Sequence, residues 1–297
     1  MDLQSVRTST EREEGGGAQK AEMKRRHEDE DTSPSKKLVT DHSVKVASHY
    51  NSLQEVGLAV RSRSRIFFMR NFNNWLKSVL IGEILEQVRG AGAQQVSVLD
   101  LGCGKGGDLL KWRRGGINHL VCADIAGVSV EQCQSRYEDM KKKSHVNEKI
   151  FSAQFIAADC TKSKGFYPLF SCQYHFSLED VVNVPEFLVY FPLFEDMAKR
   201  YNMRLVLKQR FSEFFEEKVK KEHHRSLMMK MMALEPFPSE DGGRLAADSK
   251  GEYCHAKEQC CRAGVKLPLV SVLRAQFESL VLFRWFLFGL TILFVSI

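Results

Sequence analysis

The sequence lacks any C-x-x-C pair, and it does not begin with the apolar run of a secretory signal peptide. We therefore expect reduced thiols in an intracellular compartment. The nearest approach to a metal-ligand pair is Cys172-Gln173-Tyr174-His175, but no second pair lies at zinc spacing, so we interpret it as structural and predict no metal site. The eight cysteines are Cys103, Cys122, Cys133, Cys160, Cys172, Cys254, Cys260 and Cys261.

Residues 1–40 have almost no apolar side chains, so they cannot bury enough surface to offset chain entropy, and we predict a disordered tail. Within it, Lys24-Arg25-Arg26 and Lys36-Lys37 flank an acidic spacer that contains Ser and Pro. Two such basic clusters are typical of a segment that a nuclear import receptor binds, which favours a nuclear location over merely solvating charge. The remaining composition, 43% hydrophobic with a pI of about 8.8, predicts one main domain over 41–276 and permits an anionic partner.

The segment from Val98 to Asp108 is a β-type apolar run that breaks into a glycine-rich turn and then enters a helical pattern. Glycines allow positive φ and a close approach of the backbone to a ligand, and the following helix start offers free N–H groups. The arrangement predicts a loop that binds a nucleotide-type cofactor. The spacing alone is ambiguous, because Gly102, Gly104 and Gly107 also satisfy the dinucleotide fingerprint.

Two carboxylates decide between the cofactors. Asp100 stands two residues before the first glycine, where it can face a cationic ligand, and Asp124 ends the next apolar run, where it can accept both hydroxyls of a ribose. S-adenosylmethionine carries a sulfonium, an ammonium and a ribose, so these acids suit it better than the pyrophosphate of NAD. An NAD oxidoreductase is disfavoured further because no hydride-transfer residues can be identified.

After the glycine loop, strand and helix patterns alternate. This predicts parallel strands in an α/β fold, with ligands at the carboxyl ends of the strands, where Asp100, Asp124 and Asp159 fall. The predicted elements are a short helix beginning at Leu109, Leu110 and Trp112, a strand over 119–124, a helix whose apolar face is Val130, Cys133, Tyr137 and Met140, and a strand over 150–157.

Upstream of the loop, apolar residues recur at three- and four-residue steps and predict the core-facing stripe of a helix. The stripe consists of Phe68, Phe72, Trp75 and Val79. The other faces are rich in amides, which weakly disfavour helix interiors, so a ligand role is reasonable there. These polar residues are Asn71, Asn73, Asn74 and Lys77.

Several motifs, in order along the chain, resemble those of the mRNA cap guanine-N7 methyltransferases. The similarity covers about 44–159 and 166–238, with weaker traces to Pro268. The motifs are Ser64-Arg65-Ile66, Arg70-Asn71-Phe72-Asn73-Asn74-Trp75, Lys77-Ser78, the loop from Asp100 to Asp108, Asp124-Ile125-Ala126, Arg136-Tyr137 and Val184-Pro185-Glu186-Phe187-Leu188-Val189-Tyr190-Phe191.

The resemblance implies a class I, Rossmann-like methyltransferase fold and methyl transfer from S-adenosylmethionine to the N7 of the guanosine cap of RNA. It also implies a small activating subunit and the transcription machinery as partners. By matching motif positions, the donor contacts are Lys77, Gly102, Asp124 and Asp159. The cap contacts are Asn73 and Asn74, with Lys105, Lys111, Arg136 and Glu186 lining the cap side. The alternative interpretations are that Lys105, Lys111 and Arg136 are solvated helix charges, and that Glu186 is a carboxylate at the start of a helix.

The implied chemistry needs no proton-transfer residue. The guanine N7 presents a free lone pair, so in-line attack on a sulfonium methyl requires alignment rather than a general base, and we predict no catalytic acid or base. A carboxylate near the guanine, such as Glu186, can favour the positive charge that develops on the base.

The chain departs from the family after Asp159, where residues 160–164 run almost directly into Gly165-Phe166-Tyr167-Pro168. The family has two further strands and a helix there, which contact the adenine and supply a His-Tyr pair beside the methyl group. Because a parallel crossover takes a dozen or more residues, we expect the sheet to lose central strands or to pair in another order. This leaves open an alternative function, a binding variant that keeps affinity for the donor or capped RNA but lacks turnover.

The segment 277–297 is apolar and unlike the family's closing strand. Its run over 280–297 lies near the lower limit of about 17 residues for crossing a bilayer. We favour a buried or aggregation-prone tail over a membrane anchor, although Arg284 lies near enough to the start of the run to snorkel.

Overall fold

The computed structural model describes residues 44–52, 62–145, 148–159, 170–178, 182–237, 245–246, 251, 253–261 and 269–271. The predicted tails at 1–40 and 277–297 and the short junction after Asp159 lie outside these residues. The first half comprises α1 (44–52), α2 (Phe67–Gly90), β1 (Ser97–Leu101), α3 (Leu109–Arg114), β2 (His119–Asp124), α4 (Gly127–Lys142) and β3 (Ser152–Ala157). The second half comprises β4 (Phe170–Leu178), β5 (Val182–Val189), α5 (Phe191–Lys199), α6 (Phe211–Lys218), α7 (Glu222–Lys230), β6 (Glu235–Phe237), α8 (Cys254–Cys260) and β7 (Leu269–Ser271).

Three parallel strands form the main sheet in the order β1-β2-β3. Ser97 is in register with His119, and His119 is in register with Ser152, so the carboxyl ends of the three strands lie along one edge. This arrangement is one half of the doubly wound order, in which β1 would be followed by further strands on its free side. The predicted α/β class is confirmed, and the sheet of the described residues is incomplete as expected.

The core of this half lies where α2, α3 and α4 cover the sheet. Trp112 and Leu120 are wholly inaccessible to solvent, and burial of such side chains stabilises the fold by about 1.5 to 3 kcal/mol each. The predicted face of α4 is confirmed, since all four of its apolar residues are buried; Leu110, by contrast, is exposed at the start of α3. The buried α4 residues are Val130, Cys133, Tyr137 and Met140.

A second apolar cluster joins α2 to the C-terminal helices. Most of the predicted α2 stripe is core, because Phe72, Trp75 and Val79 are buried and Phe68 is half-buried. Phe214 of α6 and Met228 of α7 pack in the same cluster. The indole N–H of Trp75 donates to the carbonyl of His224 at 2.9 Å, which joins α2 directly to α7.

Strands β4 and β5 pair with each other in an antiparallel sheet that is separate from the parallel one. Glu186 lies within β5, opposite Tyr174. The alternative in which Glu186 starts a helix is therefore wrong, because the β-type residues on either side of it pair as a strand. Among the described residues, no strand adds to the free side of β1, which agrees with the expectation that so short a junction cannot make a parallel crossover.

The remaining elements form a small cluster in which Phe237 stacks on Tyr253 with ring centroids 5.1 Å apart. Buried Glu235 is satisfied there, since it accepts from the Tyr253 hydroxyl at 3.0 Å and from the Ala246 backbone N–H at 2.6 Å. None of the helices in the described segments combines the length and the apolar character needed to cross a membrane.

Candidate methyl-donor site

The glycine-rich loop begins where β1 ends and stays attached to β2. The backbone N–H groups of Gly102 and Cys103 both donate to the carbonyl of Ala123, at 2.8 and 3.2 Å. Gly102, Gly104 and Gly106 have φ of 73°, 50° and 76°, values that L side chains rarely adopt. The chain can therefore fold back tightly at the carboxyl edge of the sheet, and exposed Gly102 lies open to a ligand.

Asp124 holds this loop in place from the end of β2. Its Oδ2 accepts from the backbone N–H of Gly104 at 2.8 Å, and its Oδ1 accepts from the N–H of Ala126 at 2.9 Å. A carboxylate offers about four acceptor sites, so each oxygen keeps capacity for a further donor. The side chain is only half-buried, which leaves it able to accept hydrogen bonds from a diol.

Asp100 is the most deeply buried acid at this edge, with 5% of its surface exposed. Its Oδ2 accepts from the indole N–H of Trp112 at 3.2 Å. Burial, and secondly the charge of Asp108, raise the pKa of Asp100 to about 7, while Trp112 and Lys77 act in the opposite direction. A buried acid with this pKa is one that a cationic ligand would ionise.

Asp108 joins two cations at the start of α3. Lys77 of α2 and Lys111 of α3 each place their Nζ 2.6 Å from one of its carboxylate oxygens. Burial raises the pKa of Asp108, but the two ammonium groups outweigh that effect and hold it below its usual value. Burial also lowers the pKa of Lys111, and Asp108 partly opposes this. The ion pairs fix α2 against the loop.

Asn74 extends the same network toward the predicted cap side. Its Oδ1 accepts from Lys111 Nζ at 3.1 Å, and Lys111 also donates to the carbonyl of Gly107. Lys111 is therefore not a solvated helix charge. Asn71 has a packing role instead, because its amide donates to the carbonyl of Met232 at 3.1 Å.

Direct contacts join several of the predicted site residues. Asn73 lies half-buried on α2 beside Asn74, and the Arg136 guanidinium donates to the carbonyl of Lys105 at 2.9 Å, which excludes a purely solvated role for Arg136. Asp159 follows the end of β3, where the N–H of Ala158 donates to the carbonyl of Asp124 at 2.8 Å. Glu186 lies in β5, which pairs with β4 and not with the parallel sheet.

Three further features near the site were not predicted from the sequence. Asp108 carried a signal, because it ends the glycine motif and has Lys111 three residues later. The sequence predicts Trp112 only as part of the helix that begins near Leu109; its side chain is buried, and its indole N–H donates to Asp100. The cluster of Cys103, Cys122 and Cys133 carried no spacing signal, because its members come from three separate elements.

Comparison with known proteins identifies the family. The sequence matches the family model described as the mRNA (guanine-N(7))-methyltransferase domain over residues 33–165 and again over 162–267. The two matches meet at the junction after Asp159. The family's sequence is thus present on both sides of the point where the chain lacks a central block.

Individual relatives give the same result. The chain is 31% identical over 312 residues to the mRNA cap guanine-N(7) methyltransferase of Caenorhabditis briggsae, with 76% of this chain and 80% of that protein covered. It is 32% identical over 301 residues to the Caenorhabditis elegans protein, with 72% of this chain and 77% of that protein covered. It is 33% identical over 279 residues to the Drosophila melanogaster protein, with 64% of this chain and 65% of that protein covered. The chain thus spans slightly less than two thirds of the fly relative's length.

The lengths of these alignments also indicate the missing block. Since 76% of a 297-residue chain is far fewer than the 312 aligned positions, the alignment contains gaps where the relative has residues that this chain lacks. A split family match and gapped alignments agree with the separate pairing of β4 and β5. On these findings, the chain belongs to the mRNA (guanine-N(7))-methyltransferase family.

Proposed function

We propose that this protein transfers a methyl group from S-adenosylmethionine to the N7 of the guanosine cap of mRNA. The observation that carries the proposal, beside family membership, is the pair of carboxylates at neighbouring strand ends: Asp100 buried and tuned to a pKa near 7, and Asp124 anchoring the glycine bend. Acids at these positions fit a donor that is cationic at one end and carries a ribose diol at the other.

The donor site is formed by Lys77, Gly102, Asp124 and Asp159. The open backbone of Gly102 allows close approach, and the spare acceptor capacity of Asp124 suits the ribose hydroxyls. Lys77 positions Asp108 and the start of α3 through its 2.6 Å contact. When bound, S-adenosylmethionine supplies an electrophilic methyl group on a positively charged sulfur.

The cap lies on the side of Asn73 and Asn74, with Lys105, Lys111, Arg136 and Glu186 lining it. Cationic side chains suit the triphosphate bridge through charge-assisted hydrogen bonds. Lys111 connects the two halves of the site, since it contacts both Asp108 and Asn74. The protein's contribution to rate is then to hold the acceptor nitrogen in line, and no side chain takes or gives a proton.

The remaining assignments follow from the family and from the N-terminal sequence. We assign the protein to the nucleus, with the two basic clusters of residues 1–40 as the segment for an import receptor. Capped RNA is the substrate, and a small activating subunit and the transcription machinery are the protein partners.

A transfer assay tests the proposal. Purified protein is incubated with methyl-labelled donor and RNA that begins with GpppG, and the RNA is then digested to release the cap. Label is expected on the N7 of the cap guanine and absent from uncapped triphosphate RNA. Calorimetric binding of the donor without label transfer would contradict the enzymatic proposal.

Two variants make the assay specific for the site. Lys111→Ala should reduce transfer by about 100-fold, because it removes a partly buried cation that contacts both Asp108 and Asn74. Arg114→Ala, on the exposed side of the same helix, is the matched control and should leave transfer unchanged.

A further inference from the structure

Three cysteine thiols converge beneath the glycine-rich loop. Cys103 lies in the loop itself, Cys122 in β2 and Cys133 in α4, and their sulfur atoms all lie within 4.8 Å of one another. The exposed fractions of the three residues are 8%, 1% and 0%. Because three separate elements supply the sulfurs, the parallel sheet and its covering helix hold the cluster together.

The cluster fits a centre that binds three sulfurs and nothing else. With bonds of about 2.3 Å to a pyramidal three-coordinate centre, three sulfurs lie about 3.5 Å apart, so binding draws together sulfurs that now lie within 4.8 Å of one another. Within the part of the chain that the structure describes, no His, Asp, Glu or fourth Cys joins the group. Structural zinc sites usually have four protein ligands, so a three-coordinate centre fits better.

Charge restricts the choice further. Three thiolates around a monovalent or divalent metal leave net negative charge in a buried site, and an uncompensated buried charge is costly. A trivalent centre bound by three thiolates is neutral.

We propose that Cys103, Cys122 and Cys133 form a binding site for trivalent arsenic, taken up as arsenous acid. Three sulfur–arsenic bonds form and three arsenic–oxygen bonds break, while the three thiol protons leave with the three hydroxyl groups as water. No electron is transferred, so the arsenic remains trivalent and no other reagent is needed.

Arsenic binding should also weaken binding of the methyl donor, an expectation that rests on the proposed function. Cys103 directly follows Gly102, and a Cβ at Gly106 would lie 2.8 Å from the sulfur of Cys133, so the loop backbone is packed against the cluster. Drawing the three sulfurs together therefore displaces the loop at the donor site.

The site is tested on the purified full chain with sodium arsenite in a thiol-free phosphine buffer. We expect one arsenic per chain, a mass increase of one arsenic atom less three hydrogens, and three sulfur neighbours in arsenic X-ray absorption. Cys133→Ala should lose this binding by at least about 100-fold, because only two sulfurs remain. The matched control replaces Cys254, Cys260 and Cys261 with alanine and should bind as the parent does.

A variant in which alanine replaces all five cysteines outside the cluster gives the sharpest result, because three-sulfur coordination there can come only from the cluster. Its folding is checked by circular dichroism, and if it does not fold, the absorption spectrum of the parent chain and the Cys133→Ala variant decide. Loss of binding in the Cys254/Cys260/Cys261 control, two-sulfur coordination, or preferential binding of zinc would overturn the proposal. Donor affinity is measured separately by calorimetry with S-adenosylhomocysteine, so failure of the methyltransferase assignment leaves the arsenic result unaffected.

Discussion

Lys77 Nζ lies 2.6 Å from Oδ2 of Asp108, and this contact ties the long helix α2 to the start of α3 directly behind the glycine loop. Lys111 completes the arrangement from the other carboxylate oxygen. A single buried acid thus pairs with two cations, and the stability of the donor site depends on its charge.

Asp108→Asn should therefore destabilise the protein by about 3 kcal/mol, because it leaves two partly buried ammonium groups without a counter-charge. The measurement is urea unfolding at pH 7, with exposed Asp139→Asn as the control. Since the folded-state pKa of Asp108 is lowered, its stabilisation is present above about pH 4 and is lost as the pH falls through the folded value. Equal stability of the two variants at pH 7 would contradict this role.

Asp100 should make both stability and donor binding depend on pH. Its folded pKa is raised to about 7, so the stability associated with the protonated acid is full below about pH 4 and declines as the pH rises to about 7, by on the order of 4 kcal/mol. Asp100→Asn should remove this slope. Above pH 7 the acid is ionised in both states and contributes no further slope.

Binding of a cationic donor should release a proton from Asp100 near pH 6.5. Calorimetry in buffers of different ionisation enthalpy measures this release, which is expected to approach one proton per donor and to vanish in Asp100→Asn. A buffer-independent enthalpy in the parent protein would show that the donor does not face this acid.

Asp124→Ala should abolish donor binding, because it removes both the proposed ribose acceptor and the anchor of the Gly104 N–H. We expect an affinity loss of at least about 100-fold for S-adenosylhomocysteine, together with a stability loss of about 1 to 2 kcal/mol from two unsatisfied backbone donors. Asp124→Asn keeps an acceptor oxygen and should lose less of both. Unchanged affinity in Asp124→Ala refutes the assignment.

Gly106→Ala and Gly107→Ala form a matched pair within the loop. A Cβ at Gly106 would lie 2.7 Å from Leu109 Cδ1 at a φ of 76°, whereas a Cβ at Gly107 meets nothing within 4 Å. Gly106→Ala should cost about 1 to 3 kcal/mol of unfolding free energy and Gly107→Ala less than about 1 kcal/mol, both measured by thermal denaturation. The reverse order would show that the loop adopts a different turn.

Glu83→Gln should loosen the C-terminal helices from α2. Glu83 contacts Lys218 at 2.5 Å and Lys221 at 2.6 Å, and Lys218 is buried. We expect a loss of about 1 to 3 kcal/mol and faster hydrogen exchange in α6 and α7, because among the described residues the buried ammonium then keeps only Glu217 as a carboxylate partner. Glu148→Gln breaks the solvent-exposed pair with Arg113 and should leave stability unchanged.

Local pattern was sufficient to predict the α/β half of the molecule. The strand expected over 119–124 is found at His119–Asp124, whereas the next strand begins two residues later than expected, at Ser152. The spacing of apolar side chains along a strand or helix reflects which of its faces is buried. That face is the one that packs between the sheet and its covering helices. The incomplete sheet was also predictable, because chain length limits how a crossover can be made.

The placement of Glu186 could not be predicted in the same way. The motif around Glu186 is shared with the family, but the motif does not determine which strand β5 pairs with. In this structure, β5 pairs with β4. The contact between Trp112 and Asp100 was likewise not predictable, because a helical pattern that includes Trp112 does not show where its indole N–H points.

Sequence alone determined the glycine bend, the acids at successive strand ends and the family, because these depend on residue type and on spacing over a few positions. Only the tertiary structure decided which side chains meet across the molecule. Asp108 lies between Lys77 and Lys111, and the sulfur atoms of three thiols from a loop, a strand and a helix lie within 4.8 Å of one another. The physical reason is that pKa values and ligand clusters depend on distance and burial in three dimensions, and neither follows from separation along the chain.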